Sequence, residues 1–297
     1  MRITFSGQFR NSTDDIQIAS ERLADYQRQV SSGLRVEKPS DDPAAMSSAI
    51  VERSRMAQTD NYTRTGDSAT SRLTVIDTVM SDIVSKLTAA QSTAVGVAGS
   101  IATPEQRTAA AQQLAGIKSA LVDDFNTTFQ GTFLFGGTKS TTKPYTIGAG
   151  GVVGAYAGST TEVSVDIGQG RPVTVGFDGS AIAKGSASSD VFAVLDNLIA
   201  DVNAGNTAGI TSGAAALSDA FQRATAAQSR VGAGLETVAT EKAHLTSVKL
   251  ASKTRLSTLQ DANMADAISG MQQADTAYKA SLAVAASTSK TSLMDYL

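Results

Sequence analysis

Apolar residues at the two ends of the chain fall on steps of three and four. Near the N-terminus the ladder is Ile16, Ala19, Leu23, Tyr26 and Val30. Near the C-terminus it is Met264, Ile268, Met271, Tyr278, Leu282 and Ala285, with polar Asp275 and Ser289 at the missing rungs. Such spacing predicts one apolar seam along each helix. Each seam is short, and an isolated helix of that length is marginal in water. Each therefore needs a partner surface: the other end of the chain, or the ends of neighbouring copies.

The interior repeats the pattern at greater length. A first helix is predicted over about 12–31, stopped by Gly33, and a second starts with Asp42 as N-cap and Pro43 at the first helical position. Leu73, Ile76, Met80, Ile83, Leu87, Ala90 and Ala94 make a strict ladder along it, as in bundle or coiled-coil packing. Thr103 with Pro104 repeats the cap, before Leu114, Ile117, Leu121 and Phe125. The segment Gly131–Gly137 then reads as a hairpin strand, with Pro144–Ile147 as its return. Alternation over Thr161–Ile167 and Val173–Phe177, with Asp178-Gly179 as a turn signal, predicts a small β insert. Helix resumes near Ser189, breaks over Asn203–Gly213, and ends in a long helix carrying Leu217, Phe221, Ala224, Val231, Leu235, Val238 and Leu245. Gly232 and Gly234 in that helix are read as sites of close helix packing.

The predicted fold is mainly α with a small β insert, and paired N- and C-terminal helices form a coiled-coil core. Three layers follow: a terminal-helix domain (1–42 and 258–297), a helical rod with a β-hairpin (43–147 and 186–257), and an outer β-rich insert (148–185).

Composition removes chemistry rather than adding it. The chain has 297 residues, formal net charge -3, no Cys, no Trp and one His. Interspersed charge without a basic face argues against nucleic-acid binding. No thiol, disulfide or Cys-based zinc site is possible. There is no His-Glu-x-x-His pattern, and the Gly-rich run 148–158 lacks a phosphate-loop Gly-Lys-Ser/Thr. His244 beside seam residue Leu245 reads as an ordinary helical position. Asp123 and Asp124 are adjacent on a helix and do not face each other. No catalytic residue, cofactor or metal is expected. No apolar run approaches a membrane span, and Met1–Arg10 shows no cleavable signal pattern.

The most specific stretch is Ser32-Gly-Leu-Arg-Val-Glu-Lys-Pro-Ser-Asp-Asp-Pro43. Gly33 suits a left-handed stop, Arg35 can reach the last carbonyls of the first helix, and Asp41 and Asp42 suit the positive end of the next. Capping and pairing between subunits are both open to Arg35, Asp41 and Asp42. With the opening Met1-Arg-Ile-Thr, the segment Gly131–Gly137 with Pro144-Tyr145, and the ending Ser292-Leu-Met-Asp-Tyr-Leu297, this stretch resembles the flagellin superfamily. Within that group it resembles the hook-associated protein 3 family; Met294 and Gly136 depart from its usual Leu and Ala.

The resemblance implies a structural subunit of the bacterial flagellum, an adaptor at the hook–filament junction that nucleates flagellin polymerisation. A filament flagellin subunit is the alternative, and a cytosolic coiled-coil scaffold a third reading. Implied partners are copies of the chain in a homo-oligomeric ring, the first hook–filament junction protein, flagellin, an export chaperone and the type III export apparatus. The implied location is extracellular, reached without a cleaved signal peptide. Expected subunit-interface residues are Ile16, Leu23, Tyr26, Val30, Arg35, Asp41, Asp42, Met264, Ile268, Met271, Tyr278, Leu282, Leu293, Tyr296 and Leu297.

The short seams predict that the terminal helices order on docking, since ordering costs about 1–2 kcal/mol per residue in backbone entropy. Circular dichroism should give the free full chain the helix content per molecule of a chain lacking 1–40 and 260–297, plus a disordered signal. Full helix content in the free chain would contradict this.

Overall fold

The computed structural model describes residues 5–99, 102–185 and 190–294, with side chains from 10 to 287 apart from residue 149. Among the described residues seven α-helices and four short strands follow in order: α1 (Phe5–Ser32), α2 (Pro43–Val97), α3 (Pro104–Phe125), β1 (Thr128–Phe129), β2 (Thr132–Phe133), β3 (Val163–Asp166), β4 (Pro172–Gly176), α4 (Gly179–Ala183), α5 (Val191–Ala204), α6 (Thr207–Gln260) and α7 (Met264–Met294). The fold is mainly helical with a small β insert, as the periodicity predicts. By packing, the chain divides into two compact units, residues 1–58 with 247–297 and residues 59–246.

Local chemistry sets most helix ends. Gly33 at φ +73° closes α1, its N–H bonding Gln29 O at 2.9 Å. Asp42 Oδ1 accepts from the Ala45 N–H at 2.9 Å and opens α2. Thr103 and Gln106 form a full capping box ahead of α3, with Pro104 at the first helical position. Asp190 caps α5, and Gly205 in the left-handed region ends it.

The larger unit holds the main core. Every rung of the α2 ladder from Leu73 to Ala94 is buried, as are Leu217, Ala224, Val231 and Val238 of α6. Phe125 meets Phe135, Tyr145 and Phe192 edge-on at centroid distances of 5.6, 5.5 and 5.7 Å. This cluster joins the end of α3, the hairpin and the start of α5. β3 and β4 pair antiparallel, Val165 opposite Val173. The insert is held to α2 by Arg72, which donates to Val175 O at 2.5 Å and Thr132 Oγ1 at 2.9 Å. It is held to α6 by Arg230–Glu162 at 2.6 Å and Arg171–Glu241 at 3.1 Å.

Four local expectations need correction. The hairpin pairs β1 with β2, Thr128 opposite Phe133, rather than 131–137 with 144–147. Gln130 and Gly131 both have positive φ, 49° and 77°, so they form a two-residue turn one step earlier. Ile147 instead bridges Val153. Asp178-Gly179 opens α4 rather than a turn, because Asp178 Oδ1 caps the Ser180 N–H at 2.8 Å. The break over Asn203–Gly213 is shorter: α6 begins at Thr207, and Gly209 and Gly213 lie inside it, against Asp201 and Leu198 of α5.

Gly232 and Gly234 are not sites of forced close packing. A Cβ at Gly232 would meet nothing within 4 Å, and one at Gly234 would make ordinary contact with Leu73 at 3.5 Å. Gly137 is the opposite case. Its φ is +56°, and a Cβ there would lie 2.1 Å from Ser159 O and 2.7 Å from Thr161 O. Gly232→Ala should therefore stabilise the helix by up to about 1 kcal/mol. Gly137→Ala should cost about 2 kcal/mol or more, through strained backbone and steric overlap. Denaturant unfolding of both variants checks the contrast, and equal effects would refute it.

Candidate assembly interface

In the smaller unit α1 packs along α7. The contact face of α7 is made of small residues. Ala267 and Ala274 are buried, and Gly270 lies under Tyr26, where a Cβ would meet the ring at 2.5 Å. On α1 the facing residues Ile16, Ala19, Leu23, Tyr26 and Val30 are all half-buried.

The large apolar residues of α7 sit to one side of this contact. Met264, Ile268 and Leu282 remain 41%, 41% and 42% exposed. Steps of four and seven return to nearly the same helix angle, so these residues and Asp275 share one stripe. Met271 and Tyr278 lie at the stripe's inner margin, half-buried. The sequence ladder is therefore real, but the intrachain contact uses the neighbouring small-residue face. The signal for that face is the repeat Ala267, Gly270, Ala274, which apolar periodicity overlooks. Ile18 of α1 and Val284 of α7 are also exposed.

The stretch 32–43 is stitched to the joint between α6 and α7. Arg35 N donates to Gln260 O at 2.6 Å and Val36 N to the same oxygen at 3.3 Å. Ala262 N returns a bond to Gly33 O at 2.9 Å, and Leu34 bridges Asp261. The Arg35 guanidinium donates to Leu259 O at 3.1 Å. The buried Gln260 side chain takes a bond from Arg53 at 2.8 Å and gives one to Val36 O at 3.4 Å. Val36, Ala45 and Met46 form a small buried cluster with Leu259 against it. Gln260 carries the joint, yet a lone Gln between two helices has no periodic signature.

Asp41 and Asp42 have local work. Asp42 caps α2 and lies 3.7 Å from Arg35. Asp41 Oδ2 accepts from the Lys38 and Glu37 N–H groups at 2.9 and 3.0 Å. Those two bonds hold its carboxyl below its ordinary value of 3.8. A polar groove of about 320 Å³ flanks the loop, lined by Asp25, Arg28, Arg35, Glu37 and Asp41 among others.

The comparisons with known proteins agree with this architecture. Residues 9–140 match the family described as the bacterial flagellin N-terminal helical region. Two curated relatives carry the name flagellar hook-associated protein 3. That of Escherichia coli is 28% identical over 213 residues, covering 67% of this chain and 66% of the relative. That of Salmonella typhimurium is 27% identical over 192 residues, covering 64% and 59%. Over residues 9–140 the chain is similar to the flagellin N-terminal helical region.

The structure of a putative flagellar hook-associated protein from Vibrio parahaemolyticus shares the fold, with TM-score 0.69 and 18% identity, covering 74% of this chain and all of that one. Leu293 falls within α7, but its side chain lies outside the described residues, as do Tyr296 and Leu297. Among the described residues no group of three His, Asp or Glu is placed to hold a metal ion, and no helix is long and apolar enough to cross a membrane.

Gln260→Leu keeps the size but removes the side-chain hydrogen bonds of the joint. It should lower protection by roughly 1–3 kcal/mol, making amide exchange at Arg35 and Val36 about tenfold to a hundredfold faster. Unchanged exchange would contradict the stitch. A carboxyl whose value is depressed by folding stabilises above its unfolded value and loses that effect as pH falls through the depressed one. The stability gap between the natural chain and Asp41→Ala should thus be full above pH 3.8 and shrink on further acidification. Urea titrations at several pH values read this, and a gap that widens toward acid would refute it.

Proposed function

We propose that the chain is a structural subunit of the bacterial flagellum, an adaptor at the hook–filament junction on which flagellin begins to polymerise. The observation that carries this reading is the exposed stripe of Met264, Ile268 and Leu282. A solvated large-apolar stripe beside a satisfied small-residue contact is a surface prepared for another copy. The sequence likeness to hook-associated protein 3 from two bacteria supports the junction over the filament.

On this reading the terminal segments 1–42 and 258–297 form the inner wall of the assembly. The helical rod of 43–147 and 186–257 lies outside them, and the insert 148–185 is outermost. Ile16, Leu23, Tyr26 and Val30 set the pairing of the two ends. Met264, Ile268, Met271, Tyr278, Leu282 and the C-terminal Leu293, Tyr296 and Leu297 meet neighbouring copies. Arg35, Asp41 and Asp42 keep the joint in shape, and Arg35 and Asp41 line the groove against which a neighbour sits. The partners are copies of the chain, the first junction protein below and flagellin above. The protein acts outside the cell, and an export chaperone and the type III apparatus deliver it there. Its work is assembly, without catalysis or cofactor.

Replacing Met264, Ile268 and Leu282 together by Ser should leave the unfolding of the free chain within about 0.5 kcal/mol, as for surface changes, and abolish assembly. An equal loss of both would place the stripe in the chain's own core. Deletion of the gene should leave bare hooks, seen by electron microscopy, with unpolymerised flagellin in the medium. Filaments that persist with altered length or shape would favour the filament-subunit reading.

A further inference from the structure

Two further faces of the smaller unit are exposed, and they carry opposite charge. The first is the outer side of α1. Ile18 stands exposed there, turned away from α7. At about 100° per residue, Asp14, Asp15, Glu21 and Asp25 all fall within about 60° of it, with Arg22 as the one base in that arc. All five charged residues are exposed. An apolar anchor is thus ringed by acid.

The second face belongs to residues 43–58 of α2 and 247–260 of α6, both within the smaller unit. Arg53 bonds Gln260 at 2.8 Å and Arg255 lies 3.6 Å from Glu52, so the two segments stand side by side. Together they contain Arg53, Arg55, Lys249, Lys253 and Arg255 against a single acid, Glu52. Glu52 is buried beside Arg55 and Arg255, so the surface keeps a net positive sign. Ile50, Val51 and Leu250 are exposed on it. This face is the counterpart of the first, with apolar side chains set among bases.

We propose that the acidic outer face of α1 in one copy docks on the basic face of residues 43–58 and 247–260 in the next. Within a single chain both faces stay exposed, so neither covers the other. The match of sign and the apolar groups on each side select a second copy as the occupant. Two different faces make a heterologous contact, which continues from copy to copy instead of closing in a pair. The contact rests on the proposed assembly of the chain and adds to the α7 stripe. An apolar stripe drives association without direction, whereas opposed charges fix register and penalise a wrong orientation.

Charge reversal in cells that lack their own copy of the gene tests the contact, with the chain quantified by immunoblot in detached flagella. Asp14→Lys with Glu21→Lys should lower its amount about tenfold or more, since like charges then face each other. Lys253→Glu with Thr254→Glu should do the same. All four changes in one chain should restore the amount to within about twofold, because the signs oppose again. Each purified variant should unfold at the natural midpoint, as exposed substitutions do, which separates a lost contact from a lost fold. Either reversal entering flagella at the natural level would overturn the contact. So would a four-change chain no better than the reversals, because the two faces would then meet other partners. Absence of the natural chain from flagella would overturn the assembly reading itself, and the contact with it.

Discussion

The smaller unit depends on one backbone stitch. Gln260 O takes the N–H groups of Arg35 and Val36, and Gly33 O takes that of Ala262. Among the described residues, the apolar cluster around it is small: Val36, Ala45 and Met46 with Leu259 against them. A cluster that small cannot fix the directions of four helix ends by burial alone. Hydrogen bonds can, because they are directional and because leaving a buried carbonyl or amide unpaired is costly. The Gln260 side chain extends the stitch to Arg53 and Val36. With both interhelical joints tied to each other, α1 and α7 leave them as a pair.

That pairing explains the division of labour on α7. Small residues let α1 approach closely, with Tyr26 over Gly270, and the larger side chains are set aside on an exposed stripe. A subunit that buried its largest apolar groups internally would have little left to offer a neighbour. Burial of an exposed side chain of this size contributes about 1.5–3 kcal/mol. On the proposed reading, three such residues repeated in every copy would make a substantial drive to assemble.

Much of the fold is legible in the sequence because it rests on repeating, local signals. The ladder from Leu73 to Ala94, the Asp42–Pro43 and Thr103–Pro104 starts and the Gly33 stop all stand where their chemistry requires. The β strands at 163–166 and 172–176 follow from alternation. Signals that are brief or tertiary were not legible. Gln130-Gly131 makes a tight turn without the usual Asn or Asp. Gly209 and Gly213 sit in a helix because Asp201 and Leu198 press against them, although their propensity suggests a break. The joint itself was readable as a capped loop, but its anchor on Gln260 bridges more than two hundred residues and no periodicity encodes it.

The central claim is that the α7 stripe is solvent-facing in the free chain and covered in the assembly. The chain contains no Cys, so a single Ile268→Cys reports on that site alone. Its reaction with a water-soluble maleimide should be fast in the free chain and strongly suppressed in isolated flagella, while a Cys at exposed Gln273, on the other side of the helix, serves as a reference. Equal labelling of Ile268→Cys in both states would contradict the claim, because the stripe would then face solvent in the assembly as it does in the free subunit.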